Sequence, residues 1–302
     1  MKLSSADIPP RMRRPSVTVD QMQKDPGQRE GETGPGAGRT GIKEGLAGIV
    51  KAVGKELISW RKEGITDGAW EGSQFKATAD KLAHSRIREE LEALHPGIPV
   101  VSEEDEGSWG LRNPDRYFLV DPIDGTASFA GGFDGFVTQV ALMEGQEPRY
   151  AAIYAPALDA LYTAGRGEGA YLNSRRLEIP DPASWESLVD NYPVPRGITR
   201  EAFEGLQLTR YVECGSISLK ICMVADGTAD IFFKAVPVKD WDIAAPHLVL
   251  GEAGGFLREL GGRDIAYDRG MEYNGIVAAK SIAHAMRIIS WYSKRKERGS
   301  SR

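Results

Sequence analysis

Residues 118–129 read FLVDPIDGTASF and place two aspartates directly at the end of an apolar run. The apolar residues 118–120 are typical of a buried strand, which Asp121 follows at once. Pro122 and Gly125 predict that the strand breaks there. Carboxylates are costly to bury unless they are paired or bind a cation. The stretch therefore predicts either a turn or a site that holds a cation.

The composition is that of a globular protein with one large or two medium domains. The chain has 302 residues, of which 41% are hydrophobic and 27% are charged. Its formal net charge of −5 argues against nucleic-acid binding, for which a basic stripe is expected. Cys214 and Cys222 are too few for a disulfide framework and have no metal-binding spacing. With no apolar run long enough to span a bilayer, we expect a cytoplasmic protein without a membrane partner.

The two ends of the chain differ in composition from the rest. Residues 1–38 mix proline, glycine, glutamine and charged residues, which predicts a flexible N-terminal extension. Residues 297–302 are predicted to be a tail. Between the two ends, apolar residues at helical spacing predict helices over 40–60 and 80–94.

The remaining patterns predict strands first and then an alternation of strands and helices. Residues 98–105 and 117–121 are short apolar runs that end in carboxylates, as strands leading into a site do. Several β segments between 135 and 172 predict an antiparallel meander, and after about 184 strand and helix patterns alternate. We therefore predict an α/β (α+β) protein with two stacked subdomains and a site in the cleft between them. The predicted subdomains are 39–183 (α+β, with the metal site) and 184–296 (α/β, with substrate-side residues).

Four acidic clusters lie where a predicted strand ends or a predicted helix begins. They are Asp80, Glu103 with Glu104, Asp121 with Asp124, and Asp242. Taken singly, each has a structural interpretation: Asp80 and Asp242 as helix caps, the glutamates as a solvated loop, and the central pair as a turn. Taken together, an oxygen-only set favours a site for a hard cation, chiefly Mg²⁺.

Three motifs resemble those of the inositol monophosphatase superfamily of Mg²⁺-dependent, Li⁺-sensitive phosphatases. They are DPIDGTASF, SEED upstream of it, and WDIAA followed by GEAGG. The resemblance covers about residues 40–290. It implies the layered α-β-α-β-α sandwich of the inositol monophosphatase/fructose-1,6-bisphosphatase type. It also implies hydrolysis of a phosphomonoester by metal-activated water.

The resemblance implies a role for each motif residue. The metal-ligating groups would be the side chains of Glu103, Asp121, Asp124 and Asp242 and the carbonyl of Ile123, with Asp121 bridging two cations. Two or three Mg²⁺ ions are expected, Mn²⁺ is expected to substitute, and Li⁺ to inhibit. The catalytic residues would be Asp80, Glu103 and Thr126, with Asp80 hydrogen-bonded to Thr126. The backbone amides of Gly125 and Thr126 would hold the substrate phosphate.

Physical reasons support these roles. Phosphate monoesters are strongly anionic, and paired cations offset charge at the attacking and leaving oxygens. Pro122 removes an amide that would otherwise need a partner, and Gly125 lets the backbone approach phosphate closely. Thr126 can orient the attacking water, and Glu103 can accept its proton.

Within the superfamily, three segments are similar to bacterial 3′(2′),5′-bisphosphate nucleotidases, which hydrolyse 3′-phosphoadenosine 5′-phosphate to AMP. They are IPVVSEED, VALMEGQEPRYAAIYAPALDALYTA and GSISLKICMVADGTADIFF. The similarity places Ser218 and Lys220 at a helix start beside the substrate, with Lys220 meeting the second phosphate. The alternative for Lys220 is a solvated surface lysine. The substrate-binding set implied is Asp124, Gly125, Thr126, Ser218, Lys220, Lys234 and Asp242.

Three departures from the pattern keep other substrates open, one of which is the glycine-rich stretch DGTASFAGGFDGF, where relatives carry bulkier or charged residues. Ala77 stands where the family usually has threonine, and Lys234 stands where the nucleotidases tend to carry arginine. Lysine is a point charge and lacks the planar fork that grips phosphate bidentately. An inositol, sugar or nucleoside monophosphate phosphatase is therefore an alternative, and a non-catalytic phosphate-ligand sensor is a more distant one. The partner would be a small phosphorylated metabolite, and the protein a monomer or a homodimer.

Overall fold

Seven α-helices and sixteen strands make up the described part of the chain. The computed structural model describes residues 37–71, 74–112, 115–180, 185–268 and 270–300. The helices are α1 Ala37–Lys62, α2 Thr78–Leu94, α3 Thr126–Ala130, α4 Gly197–Gly205, α5 Ile217–Ala225, α6 Asp240–Glu252 and α7 Ile282–Ser300. A 3₁₀ helix spans Glu106–Leu111.

The strands fall into the two halves of the chain. The first nine are β1 Gly68–Glu71, β2 Gln74–Ala77, β3 Val100–Ser102, β4 Arg116–Asp124, β5 Val137–Glu144, β6 Glu147–Ala155, β7 Ala160–Gly165, β8 Gly169–Leu172 and β9 Arg175–Leu177. The others are β10 Ser187–Asp190, β11 Arg210–Glu213, β12 Ile231–Lys234, β13 Val238–Lys239, β14 Phe256–Glu259, β15 Glu272–Tyr273 and β16 Ile276–Ala279. The predicted helices and the strands that lead into the carboxylates are present.

Two large sheets dominate the fold. The first has seven strands in sequence order from β3 to β9, with β3 parallel to β4 and every other neighbouring pair antiparallel. This arrangement confirms the predicted meander. The second sheet has five strands in the order β11-β10-β12-β16-β14, in which β10 runs parallel to β11 and β12 and the other pairs are antiparallel. Strands β1, β2, β9 and β13 to β16 were not predicted.

Successive side chains along a strand point to opposite faces of its sheet, so the apolar residues of each strand divide between the layers on its two sides. Phe118 and Val120 of β4 pack with α1 and α2, whereas Tyr117 and Leu119 face the core shared with α5 and α6. In the second sheet, Phe232 faces that same shared core, and its neighbours on β12 face α4 and α7. The order of layers is therefore helices, sheet, helices, sheet, helices, which confirms the predicted α-β-α-β-α sandwich.

Strand β4 continues through Pro122, contrary to the prediction that the strand breaks there. Asp121 pairs with Gln139 and Asp124 with Val137, so three steps along β4 correspond to two along β5. This bulge leaves Pro122 out of the ladder, where its missing N–H costs no hydrogen bond. The strand ends at Asp124, and the next residue, Gly125, has a φ of +90°. The sharp change of direction therefore occurs one step after the second aspartate.

The structure describes only part of the predicted N-terminal extension and of the predicted C-terminal tail. The flexible extension was predicted over residues 1–38, of which 1–36 lie outside the described residues and the last two begin α1. The tail was predicted over residues 297–302, of which 297–300 belong to α7 and 301–302 lie outside the described residues. The described residues from 37 onward form one compact unit, and the division into subdomains at about residue 184 stays a prediction. Among the described residues, no helix is both long and apolar enough to cross a membrane.

Candidate metal and phosphate site

Asp121, Asp124 and Asp242 converge at one point in the fold. One carboxylate oxygen from each lies within 4.8 Å of the others. The first two carboxylates come from the bulge in β4, and the third comes from the first turn of α6. The structure thus brings together carboxylates from both halves of the chain, close enough to one another that they could hold a divalent cation.

Asp121 has an environment that fits a metal ligand. Its side chain is 1% exposed, and neither carboxylate oxygen has a hydrogen-bond partner within the described structure. Burial raises the pKa of Asp121 well above its ordinary value, and the charges of Glu103, Asp124 and Asp242 raise it further. A buried carboxylate without hydrogen bonds is costly unless a cation offsets its charge. The residues present therefore fit a bound divalent cation.

Asp124 is held by the start of α5. Its carboxylate accepts hydrogen bonds from the Ser216 hydroxyl at 2.6 Å, the Ser218 N–H at 2.5 Å and the Ile217 N–H at 3.2 Å. Ser216 also caps α5 by accepting a hydrogen bond from the Leu219 N–H at 2.9 Å. Asp124 therefore links the bulge of the first sheet to the helix layer between the sheets. Ser216 was not predicted as a site residue, although its position before an apolar helix is a capping signal.

The Asp242 carboxylate is held within the first turn of its own helix, α6. It accepts a hydrogen bond from the Lys239 N–H at 2.7 Å, so it caps α6 from within the first turn. Burial, together with the charge of Asp124, raises the pKa of Asp242 to about 7. The capping interpretation and the metal-ligand interpretation are therefore compatible for this residue.

Asp80 and Thr126 form the neighbouring part of the site. The Thr126 Oγ1 lies 3.1 Å from Asp80 Oδ1 and 2.9 Å from the carbonyl oxygen of Ile123. Asp80 also accepts a hydrogen bond from the Ala77 N–H at 2.8 Å, which caps α2. Burial raises the pKa of Asp80 to about 7, and the charge of Glu104 contributes to the rise. The structure thus contains the hydrogen bond expected between Asp80 and the motif threonine.

Glu103 and Gly125 border the three aspartates. Glu103 follows β3, its N–H donates to the Val120 carbonyl at 3.3 Å, and its charge acts on Asp121. It is not one of the three convergent carboxylates. A Cβ at Gly125 would lie 3.0 Å from the Gly135 carbonyl oxygen, so this position has no room for a larger residue.

Ser218 lies at the start of α5, as predicted, but its hydroxyl is used inside the protein. The side chain is fully buried and donates to the Asp242 carbonyl at 2.7 Å, while the Gln139 amide lies 2.6 Å from the same hydroxyl. Gln139 also donates to the Trp241 carbonyl at 2.8 Å. These contacts give Ser218 and the unpredicted Gln139 a positioning role. A contact between Ser218 and substrate stays a prediction.

Lys220 is buried, so the alternative of a solvated surface lysine is wrong. It is 1% exposed, its Nζ contacts Asn191 Oδ1, and it lies 3.9 Å from an Asp190 carboxylate oxygen. Burial lowers the pKa of Lys220 to about 8. Lys234 ends β12, is half-buried, and lies close enough to Asp242 for its charge to lower the pKa of that carboxyl. Substrate contacts of both lysines stay predictions.

The sequence and the fold are similar to those of known proteins. A profile of the inositol monophosphatase family matches residues 40–294. A fructose-1,6-bisphosphatase/inositol-1-monophosphatase of Aquifex aeolicus is 34% identical over 189 residues, covering 60% of this chain and 70% of that protein. The 3′(2′),5′-bisphosphate nucleotidase CysQ of Shigella flexneri is 33% identical over 192 residues, covering 63% of this chain and 78% of that protein. The crystal structure of extragenic suppressor protein suhB from Bartonella henselae matches with a TM-score of 0.71 at 25% identity, covering 82% of this chain and 97% of that one.

Proposed function

Because this chain belongs to the inositol monophosphatase family and is a phosphomonoester hydrolase, we propose that it uses Mg²⁺ held by Asp121, Asp124 and Asp242. The observation that carries the proposal is the pair of buried Asp121 oxygens without a hydrogen-bond partner. Glu103 and the Ile123 carbonyl are proposed as further ligands at the edge of the same group. Bound cations would supply charge compensation for the phosphate and a lowered pKa for water.

The protein's own residues have distinct roles in this proposal. The Oγ1 of Thr126 holds the attacking water, and the nearby Asp80 carboxyl orients the Thr126 hydroxyl. Glu103 accepts the proton that the water loses. The backbone at Gly125 and Thr126 faces the phosphate, because the left-handed conformation of Gly125 turns the chain there.

We propose a 3′(2′),5′-bisphosphate nucleotide as the substrate. Lys220 supports this choice, since it is a buried lysine in the same helix, α5, whose start holds Asp124, and lysine is a common ligand of phosphate. The similarity to CysQ supports it as well. An inositol, sugar or nucleoside monophosphate is the second candidate, favoured by lysine at position 234 and by the relative named fructose-1,6-bisphosphatase/inositol-1-monophosphatase. The two buried free thiols support the proposed cytoplasmic location.

A substrate panel tests the proposed function. Phosphate release is measured from 3′-phosphoadenosine 5′-phosphate, inositol 1-phosphate, fructose 1,6-bisphosphate and AMP, with Mg²⁺ and with a chelator. We expect Mg²⁺-dependent release, fastest from the bisphosphate nucleotide. Asp124→Asn, folded as judged by circular dichroism, is the inactive control. No release from any substrate by the folded protein would reject the enzyme and leave the phosphate-ligand sensor.

A further inference from the structure

A turn between β3 and β4 carries Glu103 and is closed by its own hydrogen bonds. The Ser102 N–H donates to Ser108 Oγ at 3.1 Å, and Ser108 Oγ donates to the Asp105 carbonyl at 2.6 Å. Trp109 Nε1 donates to the Ser102 carbonyl at 2.9 Å. We refer to residues 102–112 as the Glu103 turn. Because it is locally closed, Glu103 moves when the Glu103 turn moves.

The end of the Glu103 turn contacts the start of α6. Arg112 Nη1 donates to Asp240 Oδ2 at 3.2 Å and to the Gly270 carbonyl at 3.0 Å. Three residues earlier in the turn, the Trp109 ring packs on the Trp241 ring with centroids 5.2 Å apart. Asp240 and Trp241 directly precede Asp242 in α6. One ionic and one aromatic contact therefore connect the segment of Glu103 to the segment of Asp242.

The Arg112–Asp240 ion pair is largely buried, so it restrains the positions of the two segments that it joins. Asp240 is 0% exposed, and the side chain of Arg112 is only 24% exposed. Removing one partner of a buried ion pair leaves an uncompensated charge, so the two segments are strongly constrained to stay in contact. The Asp240 N–H also donates to the Met271 carbonyl at 3.0 Å, which fixes the backbone on the other side.

We propose that the Arg112–Asp240 ion pair, together with the Trp109–Trp241 contact, is a clamp that sets the spacing between Glu103 and Asp242 and thereby the affinity for a divalent cation. Arg112 is then a positioning residue that touches neither substrate nor metal. The proposal rests on the proposed function only in assuming that these carboxylates bind a cation.

An effect of charge alone and a positioning role predict opposite changes in cation affinity when Arg112 is replaced, so the two can be distinguished by experiment. Arg112→Met removes a positive charge from the neighbourhood of a cation site, so a purely electrostatic effect would tighten cation binding. A positioning role predicts weaker binding. We expect the Kd for Mn²⁺ to rise by about tenfold, within the range seen when a residue that orients a ligand is lost.

Mn²⁺ binding is measured by electron paramagnetic resonance on the full chain of the wild type, Arg112→Met and Arg295→Met. Arg295 is the control for loss of an arginine from a surface ion pair, because its pair with Glu201, at 2.6 and 2.9 Å, joins α7 to α4 and involves none of the site residues. Arg295→Met should bind Mn²⁺ as the wild type does. In phosphatase assays, Arg112→Met should need more Mg²⁺ for half-maximal rate and keep kcat within about twofold at saturating Mg²⁺.

Unchanged or tighter Mn²⁺ binding by Arg112→Met would overturn the clamp. If Arg112→Met does not fold, Arg112→Lys replaces it, since a lysine keeps the charge and loses the guanidinium geometry. We expect it to weaken binding at least about threefold, by loss of that geometry, and wild-type affinity would again overturn the clamp. Failure of the wild type itself to bind Mn²⁺ would reject the proposed metal site, a result separate from either outcome for Arg112.

Discussion

At the scale of single residues, Asp121 destabilises the metal-free fold and is suited to bind a cation. A buried carboxylate without hydrogen bonds and beside other carboxylates destabilises the metal-free fold. We predict that Asp121→Asn leaves the metal-free melting temperature unchanged or raised, and lowers kcat/KM at least about 100-fold, because losing a ligand should cost no less than losing its supporting partner. Differential scanning calorimetry and phosphate release measure the two effects. A stable variant with near-normal activity would contradict the assignment of Asp121 as a ligand.

Lys220 is the residue whose chemistry distinguishes the two candidate substrate classes. Its pKa is lowered to about 8 by burial, so it carries its charge below that pH and loses it above. If Lys220 binds a second phosphate, the KM of a bisphosphate rises as the pH passes through about 8, while that of a monophosphate does not. Lys220→Met should remove this pH dependence and raise only the bisphosphate KM, by roughly tenfold for one lost charge-assisted hydrogen bond. Equal effects on both substrates would contradict the role.

The aspartates could be predicted from the sequence, and their partners could not. Asp121 and Asp242 stand out because a carboxylate at the end of an apolar run or the start of a helix is a local feature. Gln139 and Ser216 reach the site only through the pairing of β5 with β4 and through the contact of α5 with the bulge. Such contacts depend on register and packing, which composition and periodicity do not encode.

At the scale of elements, the bulge in β4 and the turn at Gly125 decide how the aspartates are presented. Gly125 has a φ of +90°, and a Cβ would approach both the Gly135 carbonyl oxygen and the Ser216 Cα, at 3.0 and 3.3 Å. We predict that Gly125→Ala destabilises the protein by about 1–3 kcal/mol and displaces the α5 contact with Asp124. Urea denaturation measures the free energy of unfolding, and Mn²⁺ binding reports the displacement.

Gly64 provides the matched control for this prediction. Its φ is +81°, but a Cβ there would meet no heavy atom within 4 Å. Gly64→Ala should therefore cost only the backbone term of about 1 kcal/mol and leave metal binding unchanged. Equal losses of stability in the two variants would mean that the close packing around Gly125 contributes nothing.

The helices were easier to predict than the strands. The pattern over 40–60 has one apolar face, and α1 buries Leu46, Val50 and Val53 of that face completely. The prediction that the strand breaks at Pro122 was wrong, because Pro122 lies in a bulge where its missing N–H costs no ladder hydrogen bond. The two-residue strands β13 and β15 form by pairing with each other across a long separation, which no local pattern indicates.

At the scale of the whole molecule, the site unites the first sheet with the helix layer between the sheets. The order of the five layers followed from the resemblance to a family, whereas the residues alone indicated only strands followed by an alternation. Asp124 and α5 connect two of these layers by three hydrogen bonds to one carboxylate. Ligand binding at this junction should therefore stabilise the fold as a unit.

We predict that Mg²⁺ stabilises the folded protein and that this stabilisation grows as the pH rises through about 7. The pKa values of Asp80 and Asp242 are raised to about 7 in the fold, above the ordinary carboxyl range near 4. Between these values the metal-free folded state binds more protons than the unfolded state, so its stability falls as the pH rises. Mg²⁺ must displace the proton of Asp242, one of its proposed ligands, so it binds better at higher pH.

Thermal unfolding with and without Mg²⁺, between about pH 5.5 and 8.5, measures the effect. With free Mg²⁺ at about 100 times its Kd, the expected gain is about 2.7 kcal/mol. Asp121→Asn serves as the control, because we expect it to keep the fold and to lose a ligand, and it should show little Mg²⁺-dependent gain at any pH. A gain that is the same at every pH would mean that Mg²⁺ binds without displacing protons from these carboxyls. Since protonated carboxyls are poor ligands, the cation would then lie elsewhere in the molecule.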